Sequence, residues 1–208
     1  MKRDWKRPSD GYKPVCGYAT QDARREWLIT HGATPDELDT LSGTLSSAQL
    51  TADPDTTKPL YYWQLYSLLG EDRIWEVVGC FYERVFQDEE QPDFRDAFVQ
   101  ISGIEHHIAT QASYWVDAMG GGRKYHGSDY RLHFHHTHNA EKVMNAAGAQ
   151  RWMFHMRLAL REYDPTFRAI DPRISGCILD FLATKMKGYS QDFGWQFDSS
   201  DFDLAWEG

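Results

Sequence analysis

The sequence predicts an all-α fold, with its helices concentrated between Leu60 and Tyr189, and two observations lead there. Apolar residues in that span recur every three or four positions, as a buried helix stripe requires, and no stretch alternates with the period of two expected of a half-buried strand. The stripes are separated at helix-ending residues: Gly70, the Gly120-Gly121-Gly122 run and Asp171-Pro172.

Residues 1–58 read as an extension. They hold one short amphipathic helix, about Thr20 to His31, followed by a Thr/Ser/Asp/Pro-rich stretch ending at Pro59. In the main span, a first helix over Tyr62 to Leu69 stops at Gly70. A second, about Glu71 to Phe86, carries Ile74, Val77, Val78, Phe81, Tyr82 and Val85 at helical spacing. A third, about Gly103 to Met119, places His107, Gln111 and Tyr114 on one face beside Ile104, Ile108 and Trp115. The segment after the glycine run reads as a loop with a short helix. Ala147 to Tyr163 follows as a helix with Trp152, Met153, Met156 and Leu160. The last helix starts at Asp171-Pro172, a capping residue and a proline at the first helical position, and carries Ile174, Cys177, Ile178, Phe181, Leu182 and Met186. Residues 59–190 are thus expected as the helical domain and 191–208 as an acidic, aromatic, loosely packed tail.

Composition narrows the function. A chain of 208 residues with 41% hydrophobic content can bury a full core. Its formal charge of -9 argues against nucleic acid and anionic membranes, which both require clustered Lys and Arg. Cys16, Cys80 and Cys177 are odd in number and widely spaced, unlike a disulfide framework or a cysteine-based zinc site. With no long uncharged apolar run and no apolar signal after Met1, the expectation is a soluble, cytoplasmic protein. Nucleotide-binding loops, serine-nucleophile elbows and the HExxH pattern are missing from the sequence.

The densest chemical signal is Arg131-Leu132-His133-Phe134-His135-His136-Thr137-His138, which holds four of the nine histidines. Neutral imidazole is a common ligand of transition metals and of haem iron. Taken alone, the cluster leaves both the metal and the ligating histidine open.

In order along the chain, Leu68-Leu69-Gly70, Phe81-Tyr82-Glu83-Arg84-Val85, Tyr114-Trp115, Met119-Gly120-Gly121, Tyr125, the histidine stretch and Gln150-Arg151-Trp152-Met153 with His155-Met156 resemble the truncated haemoglobins, group II and the plant type in particular. The resemblance covers Leu60 to Tyr189. It implies a two-over-two helical sandwich with an N-terminal extension, holding haem b through a proximal histidine. The family's proximal histidine lies eighteen residues after the first glycine of the turn, which from Gly120 is His138, with Phe134 against the haem. His136 is the rival and needs a two-residue deletion. Thr137 stands where the family usually has arginine, so His133, His135 and Lys142 become candidates for propionate contacts. Tyr82 matches the distal tyrosine, His107 the distal gate and Gln111 the position one turn deeper. Phe98, or Phe94, matches the aromatic wedge, and Trp152 the tryptophan that marks group II; Trp115 joins the haem-contacting set.

The resemblance implies oxygen binding or transport, or binding of NO, CO or sulfide, with a diatomic or small anionic ligand as partner. An enzymatic alternative, NO dioxygenase or peroxidase-like, needs an external reductase, because nothing here resembles a flavin or nicotinamide domain. A third reading takes the four clustered histidines as a zinc or copper site, against which their crowding on one short segment argues.

Overall fold

A computed structural model describes residues 13–41, 43–126, 136–137 and 140–197. Among these the fold is all-α, and the only extended pairing is a single bridge between Val15 and Gly121. A 3-10 turn at Tyr62–Gln64 leads into a helix broken at Gly70. We label the helices α1 (Tyr18–Thr30), α2 (Pro35–Leu41), α3 (Leu65–Phe86), α4 (Pro92–Ile101), α5 (Ile104–Ala118), α6 (Ala146–Ile170) and α7 (Ile174–Asp192).

The stripes read from the sequence are the faces that meet. α3 packs against both α5 and α6, and α7 packs against α6. Val78, Phe81 and Val85 of α3, Ile108 of α5, and Met156, Leu160 and Phe167 of α6 are fully buried. Each such side chain contributes roughly 1.5–3 kcal/mol by leaving water, so packing rather than intrinsic propensity holds these helices.

Two glycines set the path of the chain around α3. Gly70 breaks the helix with φ 66° and ψ 175°, a left-handed backbone that most side chains resist, and this separates the two stripes of α3. Gly120 ends α5 with φ 95°, and a Cβ there would stand 2.3 Å from the Trp63 carbonyl oxygen. The turn is locked by Tyr66 N–H donating to the Met119 carbonyl at 3.1 Å and Val15 N–H to the Gly120 carbonyl at 2.8 Å. Gly120→Ala is therefore expected to lower stability by roughly 2–3 kcal/mol, read from the urea midpoint, because strain and a backbone clash coincide.

The N-terminal stretch shares this core. Ala19 and Ala23 of α1 belong to the main cluster, and α1 packs on α5 and α7. Asp117 of α5, fully buried, accepts the Thr20 backbone N–H of α1 at 3.2 Å, a carboxylate set at a helix N-terminus. Burial nevertheless pushes its carboxyl up to about 6. The Thr/Ser/Asp/Pro-rich stretch contains α2, which composition alone suggested was loop. Its start is a reciprocal cap: Thr34 N–H donates to Glu37 Oε2 at 2.8 Å, and Glu37 N–H to Thr34 Oγ1 at 3.4 Å. Farther on, Arg173 clamps residues 53–58, donating to the carbonyls of Asp53 at 2.8 Å and Lys58 at 2.7 Å.

Two boundaries differ from the sequence reading. α6 runs on to Ile170 instead of ending near Tyr163, passing through Pro165. An interior proline costs about 3 kcal/mol, and here it is offset by Phe167, which is fully buried, and by Asp164, which takes Ser175 Oγ at 2.7 Å and Arg168 Nε at 2.6 Å. Asp171 closes α6 rather than opening α7, although its carboxylate still accepts the Arg173 N–H at 2.9 Å. In the stretch expected to be a loose tail, Trp195 and Phe197 pack against the core.

Candidate functional site

Five helices and the segment ahead of α6 line a cavity of about 700 Å³, within the size range of small-molecule and cofactor sites. Its walls come from Tyr82 of α3, Phe94 and Phe98 of α4, His107, Gln111 and Trp115 of α5, Trp152 of α6, and Leu182, Lys185, Met186 and Tyr189 of α7, with His136 and Trp195. The side chains that the sequence singled out separately, Tyr82, Phe98, His107, Gln111, Trp115 and Trp152, thus line one space. Both candidates for the aromatic wedge, Phe94 and Phe98, line it as well, 5.0 Å apart between ring centroids.

Tyr82 is buried, with its ring against Phe81, Phe98 and His107. Burial raises its phenol well above the ordinary value, so the hydroxyl stays protonated and available as a donor. Trp152 sits 4.6 Å from Phe81, the residue beside Tyr82.

His107 is buried and its Nε2 donates to the Phe98 carbonyl at 3.0 Å. That bond ties α5 to the last turn of α4 and holds Phe98 against the cavity. A histidine expected at a gate therefore has one ring nitrogen committed to the protein frame. His106, its neighbour, is exposed at the rim.

Of the histidine cluster, His136 is described. It is half-buried, lines the cavity and packs edge-on against Tyr189 of α7 at 4.6 Å. Phe134, His138, His133 and His135 lie outside the described residues. Among the described residues no three His, Cys, Asp or Glu side chains gather as a metal site, and no helix is long and apolar enough to cross a membrane.

One cluster escaped the sequence reading. Asp88, just past α3, has a side chain 1% exposed. It accepts Arg151 Nε and Nη2, each at 2.6 Å, His155 Nε2 at 2.7 Å, and the backbone N–H groups of Glu90 and Gln91, each at 3.1 Å. The Arg151 guanidinium, ahead of the other donors, holds its carboxyl well below the usual carboxylate range. His155 is lowered from its ordinary value because burial outweighs the carboxylate beside it, so it donates through Nε2 as a neutral ring. The cluster joins the end of α3, which carries Tyr82, to the start of α6, which carries Trp152. Arg151 and His155 share a helix face, a four-residue spacing visible in the sequence. Nothing marked Asp88 among 31 acidic residues.

The residues fit haem. Phenyl and aliphatic walls suit a flat apolar ring, the wall contains an imidazole, and Tyr82 of the same wall carries a hydroxyl donor. No curated protein and no solved structure matches the chain. Residues 64–187 match the family model of the bacterial-like globins. That span covers more than half of the chain and takes in the cavity walls from Tyr82 to Met186; the chain belongs to the bacterial-like globin family, a membership that implies a haem cofactor and small diatomic ligands.

Proposed function

We propose that this globin is of the truncated, group II-like kind and binds O2 or another small ligand on haem b held in the cavity. The observation that carries this is the convergence of Tyr82, Gln111, Trp115, Trp152 and Phe98, from four helices, on one cavity. Haem, when bound, would supply an iron able to take an imidazole and a small ligand. Every other element of the proposal is a task of the chain. The Tyr82 hydroxyl donates to the bound ligand, the Gln111 amide donates or accepts beside it, and the Trp152 indole can only donate. Phe94, Phe98 and Trp115 exclude water, which strengthens each of those bonds. His107 keeps Phe98 in place through the Phe98 carbonyl.

For the iron ligand, the register from Gly120 favours His138, while the placement of His136 in the cavity wall supports a second reading. His138→Ala is expected to abolish the haem absorption band of the reconstituted protein, and His136→Ala to leave it in place. The reverse result transfers the role to His136. Absence of a haem band in the unsubstituted protein after reconstitution would sink the proposal altogether.

A further inference from the structure

The cavity wall includes a charge that oxygen binding does not require. Lys185, in the middle of α7, is 5% exposed, and its Nζ lies 5.7 Å from the ring centroids of both Tyr114 and Phe181, two residues of the same wall. A buried ammonium needs a counter-charge, since desolvation otherwise outweighs what the cavity returns. That counter-charge comes from outside the span that matches the globin family: Glu26 of α1 hydrogen-bonds Lys185 Nζ. α7 leaves room for it. One turn beyond Lys185 stands Gly188, where a Cβ would lie 2.8 Å from Glu26 Oε1.

We propose that Glu26 determines the charge selectivity of the cavity: by neutralising Lys185 it keeps the wall from attracting anions, so that neutral small ligands are favoured. The N-terminal helix is then part of the ligand-binding device. This rests on the cavity being a ligand site, as argued above. A carboxylate in contact with a buried ammonium removes most of the field that a second anion would feel a few ångströms away, and in a medium less polar than water that field is large. Glu26 does not touch the ligand and acts through Lys185.

The test uses the haem-free full chain and two fluorescent probes of similar shape, anionic 8-anilinonaphthalene-1-sulfonate and uncharged N-phenyl-1-naphthylamine. Glu26→Gln is expected to tighten the anionic probe roughly tenfold and leave the uncharged probe within about twofold. Adding Lys185→Met to Glu26→Gln should return the ratio of the two affinities to that of the unsubstituted chain. Gly188→Ala, which crowds Glu26 without removing it, should move the ratio in the same direction as Glu26→Gln but less. If Glu26→Gln does not fold, judged by circular dichroism, Gly188→Ala alone and with Lys185→Met decides. Equal shifts for both probes, no shift, or a shift that persists without Lys185 would overturn the inference. Because no step uses haem, a failed probe ratio beside a normal haem band refutes this inference alone; a missing haem band refutes the haem reading and leaves this result standing.

Discussion

Asp88→Asn is expected to lower stability by about 3–5 kcal/mol at neutral pH, the usual cost of leaving one half of a buried ion pair without its partner. The size follows from burial on both sides, with the Asp88 side chain 1% exposed and that of Arg151 11%. The substitution weakens the bidentate bond to Arg151 and places an amide donor against two N–H donors. A chemical denaturation midpoint measures the loss. The double change Asp88→Leu with Arg151→Met should recover much of it, since two apolar side chains leave no charge unpaired.

The same group sets an acid dependence whose sign is fixed. The folded-state pKa of Asp88 is depressed below its ordinary 3.8. Its contribution is therefore complete above about 4 and is lost as the pH falls from there, when the unfolded chain takes up the proton more readily than the folded one. Denaturation midpoints between pH 5 and 2.5 should fall for the unsubstituted chain and fall less steeply for Asp88→Asn. Equal slopes would show that the cluster is not held as an ion pair.

Tyr82→Phe is expected to speed release of bound O2 by about 10- to 100-fold, with CO release little changed. The difference arises because bound oxygen carries partial negative charge, and a hydrogen bond to a charged acceptor contributes about 1.5–3 kcal/mol. Phenylalanine keeps the contacts of the ring with Phe81, Phe98 and His107 and removes the donor alone. Burial keeps the Tyr82 phenol protonated, so the effect should not vary between pH 6 and 9. Flash photolysis and rapid mixing measure both rates. An unchanged O2 release rate would remove Tyr82 from the proposed role and shift attention to Gln111 and Trp152.

Much of the helical frame was legible in the chain because its cause is local. The Ile74, Val77, Val78, Phe81 and Val85 stripe follows from 3.6 residues per turn, and Gly70 marks the break whatever surrounds it. The start of α2 is written locally in Thr34 and Glu37, but within a composition that resembles loop. At Pro165, inside α6, the local signal and the fold disagree. A strong local rule against continuing the helix was overruled by Phe167 and Asp164, whose gains come from the core and from Ser175.

Apolar periodicity in the chain predicts an all-α fold, and the resemblance of its motif order to a globin's singles out Tyr82, Phe98, His107, Gln111, Trp115 and Trp152. Tertiary structure alone decided that these residues share a cavity, that His107 is bonded to the Phe98 carbonyl, and that α1 belongs to the core. It also decided the pairing of Asp88 with His155, 67 residues apart, and of Glu26 with Lys185, 159 residues apart. The physical reason is range. Periodicity and capping act within a turn or two and are written in neighbouring residues, whereas the partner of a buried charge is chosen by which helices pack together, and no spacing along the chain encodes that choice.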